Sequence, residues 1–328
     1  KKKMMRIGIL RFDDRNRYGE FGIPTTVLFG GDGKKWIVTC KKVTKKNHWA
    51  KIRLPPLATP DGQDQGHKAE LVEILGPVGE HEVELRALQT HFEIVPCRYP
   101  KEWTLKENEF DDEAESAISV FSVDNAGTRD IDDALSLEGN GRGIHVADVA
   151  RRISAESPLF AWARDRGASA YSSGASVPML PPQLAHDLLS LNQDVERPAL
   201  SLFLTIENGK IVDATHKRTT VRNSNATTYS RFAETQDPHL VACRDLLQLL
   251  SNESEPEDLV AWTMITYNAY FGELMAAKQL WPGGTLRAQT DRTRPAKYVR
   301  CTDPNSSHAA LGLAHYAHCS SPIRRFSD

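Results

Sequence analysis

Alternating apolar and polar residues over 6–12, 19–23, 36–40, 49–54 and 67–75 predict five short strands, separated by turn-forming stretches such as Asp61-Gly-Gln-Asp-Gln-Gly66. That many strands in so short a span suit a small barrel. The pattern then changes. Residues 76–118 open on Gly76-Pro77, hold an apolar run at 83–88 that fits a short helix or strand, and pass through an acidic stretch at 107–115, which reads as a connector. From 117 onward strands and helices mix. Strands are expected at 118–123, 134–137 and 144–149, a helix at 158–166, an extended Pro-rich stretch at 171–182 and a helix around 183–191. The clearest hairpin pairs 199–206 with 210–214 across Asn208-Gly209. Tyr229 opens a helical region, 259–280 forms a long amphipathic helix ended by Trp281-Pro-Gly-Gly284, and 309–328 starts as a helix. The expected fold class is α+β: a small β-barrel at 1–76, a connector at 77–117 and a mixed α/β domain at 118–328.

Composition changes this picture little. The chain has 328 residues, room for two domains, and a formal net charge of −2 that does not by itself mark a nucleic-acid binder. The distribution says more, since residues 1–53 carry 15 Lys and Arg against 4 Asp and Glu. There Phe12, Tyr18, Phe21, Trp36, His48 and Trp49 interleave with Arg11, Arg15, Arg17, Lys41, Lys42, Lys45 and Lys46. Such a mixture serves a single-strand binder, which needs base stacking beside phosphate neutralisation, and equally serves as barrel core. The 5 cysteines, far apart and without a C-x-x-C spacing, argue against a zinc site or a disulfide framework. No apolar run approaches a membrane span, the start lacks the apolar core of a secretory signal and the scattered cysteines suit a reducing compartment, so a soluble, cytoplasmic protein is expected, with organellar targeting open, and it is expected to be a monomer.

The candidate chemistry lies in Asp124-Asn-Ala-Gly-Thr-Arg-Asp130-Ile-Asp132-Asp133, where 4 carboxylates crowd into ten residues. An Asp-rich stretch beside Gly is ordinarily a solvated loop. Carboxylates packed this closely repel one another unless a cation sits among them, and hard oxygen ligands with open positions suit Mg²⁺ and a substrate phosphate. The spacing is not that of an EF-hand.

Motifs elsewhere decide between these readings. Asp124-x5-Asp130-Ile-Asp132-Asp133-Ala134-Leu135, His145-Val-Ala-Asp-Val149, Arg166-Gly-Ala-Ser-Ala-Tyr171, Val177-Pro-Met-Leu-Pro181, Leu189-Ser-Leu-Asn192, His308-Ala-Ala-Leu-Gly-Leu313 and Ser321-Pro-Ile-Arg-Arg325 follow one another along the chain. Together they resemble the RNB catalytic domain of the RNase II/RNase R family of exoribonucleases, over roughly 118–328. Gly8-Ile-Leu-Arg-Phe12 with Tyr18-Gly-Glu-Phe-Gly22 is similar, more loosely, to the opening of a cold-shock domain of the OB type.

The RNB resemblance implies a Mg²⁺-dependent hydrolytic exoribonuclease that degrades single-stranded RNA from the 3′ end to nucleoside 5′-monophosphates. It implies that Asp124, Asp130, Asp132 and Asp133 hold metal, with Asp132 and Arg324 catalytic. It also implies that Tyr171, Tyr229, Asn268 and Arg325 meet the RNA. Two departures stand out. The family usually has a Glu near Trp262 or Thr263, absent here, and its members commonly carry two cold-shock domains and an S1 domain, so the chain is expected to be a partial copy. The rival expectations are an RNA-binding or regulatory protein with a degenerate RNB domain, and a nuclease acting on DNA or a structured RNA end.

Overall fold

In the computed structural model, residues 5–12, 25–28, 35–40, 46–55, 68–94, 99–106, 117–138, 141–172, 175–277 and 284–328 are described. Strands β1 (Met5–Arg11), β2 (Thr25–Leu28), β3 (Lys35–Val38), β4 (His48–Arg53) and β5 (Lys68–Pro77) close into a barrel in the order β1-β2-β3-β5-β4. The β3–β5 pairing is parallel, while β4 runs antiparallel to both β1 and β5. Period-2 alternation does the sorting: Leu10, Val38, Ala50 and Ile52 share the interior. His48 and Trp49, expected among aromatics that serve either stacking or core, are 7% and 8% exposed and belong to the core. The expected strand 19–23, with Tyr18 and Phe21, lies outside the described residues, as do the loop 61–66 and the acidic stretch 107–115. Residues 81–91, inside the expected connector, form helix α1 (His81–His91), whose Ala87 packs with Ile7, Trp49 and Leu75.

The chain divides into two compact units, Lys1–Cys97 with Tyr171–Val177, and Arg98–Ala170 with Pro178–Asp328. In the second, β6 (Ile118–Asp124), β7 (Asp133–Glu138) and β8 (Gly141–Ala147) lead to α2 (Val149–Arg152) and α3 (Pro158–Arg166). The short strands β9 (Ala170–Ser172) and β10 (Ala175–Val177) pair with each other, and a π-helical turn, Leu184–Leu188, replaces the longer helix expected at 183–191. The expected hairpin is present but longer, with β11 (Glu196–Glu207) and a second arm, β12 (Lys210–Thr228), of 19 residues. The arm reaches far enough to pair in parallel with β6, closing a second barrel of β6, β7, β8, β11 and β12.

Helices α4 (Tyr229–Glu234), α5 (Pro238–Ser251) and α6 (Pro256–Ala276) cover one face of this barrel through Phe121, Leu202, Phe232, Leu247, Tyr267 and Phe271. The opposite core joins Val120, Ala134, Leu159, Leu184 and Ile323. A hairpin of β13 (Thr285–Ala288) and β14 (Lys297–Arg300) follows. The helix expected to begin at 309 is not formed. Gly312 takes a left-handed φ of 67°, and His308 and Leu313 exchange backbone hydrogen bonds, so the chain turns and then runs on without helix. Gly272 of α6 lets that segment approach, since a Cβ there would stand 2.9 Å from the Tyr316 nitrogen.

Candidate active site

Asp124 ends β6 and Asp133 begins β7, so the barrel fixes both ends of the acidic loop. Gly127, at φ 83°, makes the turn inside it, and Thr128 N–H closes on the Asn125 carbonyl. Ser190, fully buried, clamps the middle. Its Oγ accepts from Ile131 N–H at 2.9 Å and donates to the Arg129 carbonyl, while Leu191 N–H bonds the Ile131 carbonyl at 3.0 Å. The Leu189-Ser-Leu-Asn192 motif is therefore a brace for the acidic loop, a role its sequence did not disclose.

The Ser-Pro-Ile-Arg-Arg segment arrives from the far end of the chain. Ile323 N–H donates to Asp132 Oδ1 at 2.8 Å, and Arg324 Nε stands 2.9 Å from Asp132 Oδ2. Asp132 is 2% exposed, and its Oδ2 has the arginine as an ion-pair neighbour but, among the described residues, no aligned hydrogen bond. The Arg324 carbonyl accepts from Ser169 N–H, and Phe326 N–H donates to the Gly167 carbonyl, tying the segment to the Arg166-Gly-Ala-Ser motif.

Burial sets the electrostatics. It pushes Asp124 up to about 6, against the pull of Arg324 and a hydrogen bond from Ser122. Burial and then the neighbouring Asp124 push Asp133 up to about 7. Asp132 rises well above the carboxylate range, because burial outweighs Arg324 and the Ile323 hydrogen bond, with Asp133 and Asp130 adding repulsion. Tyr229, placed at the start of α4 by the Thr228 cap, rises to about 12, through burial first and then the charges of Asp133, Asp124 and Glu257. That Glu257 of α6 shares this field could not be read from its position in the chain.

A pH dependence follows from the signs. Both numbered carboxylates lie above their unfolded value of 3.8, so the stability they contribute is complete below that pH and is lost as pH rises through 6 to 7. Without divalent cations the melting temperature is expected to fall between pH 5 and pH 8, and an added cation that settles among the carboxylates restores most at pH 8. Melting curves in chelator and in Mg²⁺ check this, and a loss that Mg²⁺ leaves unchanged counts against a cation site.

Three other expected residues lie elsewhere or face otherwise. Asn268, expected to meet RNA, is 2% exposed. Its amide donates to Tyr316 Oη and Ser320 Oγ, and its oxygen accepts from Cys319 N–H at 3.0 Å. It is a buried brace for the segment leading to Arg324, because every polar atom it has is turned into the protein. Arg325 is likewise engaged, its Nη2 standing 2.6 Å from Asp328 Oδ2. Tyr171 is 56% exposed in β9 and is grouped with the first unit. His145, from another motif, bridges Ser136 and Ser201 at 2.9 and 2.7 Å, and burial pulls it down to about 3, so it is a neutral structural link.

The donor chemistry suits a hard divalent ion: buried carboxylates, one oxygen without a hydrogen-bond donor, and hydroxyl neighbours. Among the described residues, however, no group of three or more His, Cys, Asp or Glu side chains is arranged to hold a metal ion. With the side chains as they stand, Arg324 is the cation that faces Asp132.

A barrel that carries a buried acidic loop clamped by a distant Ser-Pro-Ile-Arg-Arg segment defines a mixed α/β protein with an acid–arginine centre. Residues 113–240 match the RNB domain. Ribonuclease R of Chlamydia muridarum is 37% identical over 123 residues, which cover 36% of this chain and 18% of that protein. The chain thus spans less than a fifth of that relative. Mycoplasma genitalium RNase R in complex with double-stranded RNA matches with a TM-score of 0.73 and 16% identity, over 100% of this chain and 76% of that one. Yeast Ssd1, a pseudonuclease, matches with a TM-score of 0.77 and 16% identity, over 100% of this chain and 54% of that one. These two likenesses show a shared fold.

Proposed function

We propose that the chain is the catalytic part of a Mg²⁺-dependent 3′-to-5′ exoribonuclease that hydrolyses single-stranded RNA to nucleoside 5′-monophosphates. The observation that carries this is the meeting of Asp132 with Arg324 across 192 positions of sequence, beside Asp124 and Asp133. A pseudonuclease shares the fold, so fold alone does not select the reading, and retention of these four side chains favours the enzyme. Asp124, Asp130, Asp132 and Asp133 would hold Mg²⁺, after a change of side-chain conformation. When bound, the ion supplies charge neutralisation on the phosphate and an activated water.

The chain's own residues have separate tasks. Arg324, 45% exposed at its side chain, can turn its guanidinium toward a phosphate while the Asp132 carboxylate orients it. Tyr229, kept protonated, donates its hydroxyl and offers its ring to the terminal nucleotide. Ser190 and the Ile323 N–H hold the acidic loop so that little reorganisation accompanies reaction. The N-terminal barrel, which we infer to be an OB-type domain, adds a surface for single-stranded RNA.

Chelation gives the test. A 5′-labelled single-stranded RNA is expected to shorten stepwise in Mg²⁺, to stay intact in EDTA, and to bind in both. An intact RNA in Mg²⁺ that nevertheless shifts in a gel supports the rival, a binding protein with a degenerate centre. Matched DNA, expected to resist, separates the other.

A further inference from the structure

We propose that the β13–β14 hairpin is a second nucleotide-binding element, on which one base of single-stranded RNA stacks against Tyr298 and Arg287 while Arg287 and Arg300 meet its phosphates. The inference rests on the reading of the chain as an RNA-processing protein. It concerns residues that no motif above includes.

Residues 285–300 hold five cations, Arg287, Arg292, Arg294, Lys297 and Arg300, and one carboxylate, Asp291, in a chain whose formal charge is −2. The register pairs Tyr298 with Arg287 and Arg300 with Thr285. Alternation then divides the hairpin. Leu286 and Ala288 are buried with Met275, Cys301 and Ala317, so Arg287, Tyr298 and Arg300 share the outward face.

Tyr298 is the aromatic of that face, and it is 46% exposed. Its hydroxyl is held twice, by His318 Nδ1 at 2.8 Å and by Ser327 Oγ at 3.0 Å, and the Arg287 guanidinium lies 4.9 Å from its ring centroid. A tyrosine pinned at its tip, with the Arg287 guanidinium and the edge of His318 against its ring and nearly half of its surface still exposed, has already lost the rotamer freedom that stacking would cost. A guanidinium plane and an aromatic ring are both surfaces on which unpaired bases stack. Neither Arg287 nor Arg300 makes an ion pair with a carboxylate among the described residues, which leaves their charge for a phosphate.

The hairpin is also joined to the centre. Ser327 lies three residues beyond Arg324, and Arg287 N–H donates to the Tyr316 carbonyl at 2.6 Å, within the segment that Asn268 braces. RNA held on this face would run toward the residues that meet the scissile phosphate. A bland alternative is a surface hairpin whose stack only stiffens the fold. Such a role would make Tyr298 matter to stability and not to affinity.

The test is binding of a fluorescent uridine-rich single-stranded RNA to the full chain in EDTA, read by anisotropy over a salt series. Tyr298→Ala is expected to weaken binding by about 5- to 100-fold, and Tyr298→Trp to keep it. Arg287→Gln with Arg300→Gln is expected to flatten the slope of log K against log salt by about 1.4, at about 0.7 per phosphate contact. The arginine pair decides the matter should Tyr298→Ala fail to fold. Wild-type affinity and slope in all these variants overturn the inference while leaving RNA binding, and the proposed function, in place. A wild-type chain that binds no RNA overturns both.

Discussion

Asp132→Asn is expected to slow hydrolysis of single-stranded RNA by about 10²- to 10³-fold or more while leaving the chain as stable as the wild type, or more so, in the absence of metal. The two effects have opposite signs for one reason. Asp132 is 2% exposed and carries a charge that burial opposes more strongly than Arg324 and the Ile323 N–H support it. An asparagine keeps the shape and an oxygen for the Ile323 N–H, and removes the charge that is costly to bury. It also removes the anion paired with Arg324 and, under the proposed function, a hard ligand for Mg²⁺. Single-turnover cleavage and melting curves in EDTA measure both. Turnover within tenfold of the wild type would take Asp132 out of the reaction, and a collapse of stability would make its role structural.

The second large effect lies in the core between the second barrel and its helices. Arg142 of β8 is fully buried, its Nη2 donates to Cys243 Sγ of α5, and among the described residues its Nε and Nη1 have no hydrogen-bond partner. Burial pulls the guanidinium below its usual range and pushes the thiol above its own, with each partner opposing the other's shift. Removing the thiol leaves a desolvated guanidinium with nothing to bond. Cys243→Ala is therefore expected to lower stability by about 1.5–3 kcal/mol, whereas Arg142→Leu is neutral or stabilising by about 1–4 kcal/mol, because a buried ion is harder to keep than an apolar side chain of similar size. Urea unfolding of both variants checks this. Equal stability of Cys243→Ala and wild type would show that the guanidinium reaches another partner.

Much of the fold was legible in its apolar pattern. The strands over 6–12, 118–123 and 199–206 follow from short apolar runs bounded by turn signals, since each buries residues in two cores, and helix α6 follows from its apolar spacing of three and four. Helix α5 was expected only as part of an undivided helical region opening at Tyr229, although Asp237-Pro238 offers its cap and first position, with Asp237 accepting from His239 and Leu240 N–H. The second arm of the hairpin was cut short at 214 because 215–220 is polar, and only its pairing with β11 keeps that run extended. The helix expected from 309 failed at Gly312, where the backbone turns left-handed.

The candidate centre was legible as a set of residue types, and its divisions were not. That Asp132 and Arg324 belong together could be inferred from the resemblance; that Ser190 clamps the loop could not, since a serine's partner is a matter of tertiary geometry. Asn268 shows the same limit in reverse, because nothing in Tyr267-Asn268 says whether the amide faces RNA or the protein. Glu257, whose charge reaches Tyr229 from the start of α6, was likewise not legible, since the contact depends on how α6 packs against α4.

The most direct measurement of the central claim is identification of the products formed from a 5′-labelled single-stranded RNA in Mg²⁺, by gel and by mass spectrometry at successive times. The account predicts a labelled strand that shortens from its 3′ end, with nucleoside 5′-monophosphates accumulating from the first time point. Intact RNA, or cuts inside the strand that leave no mononucleotide, would contradict it.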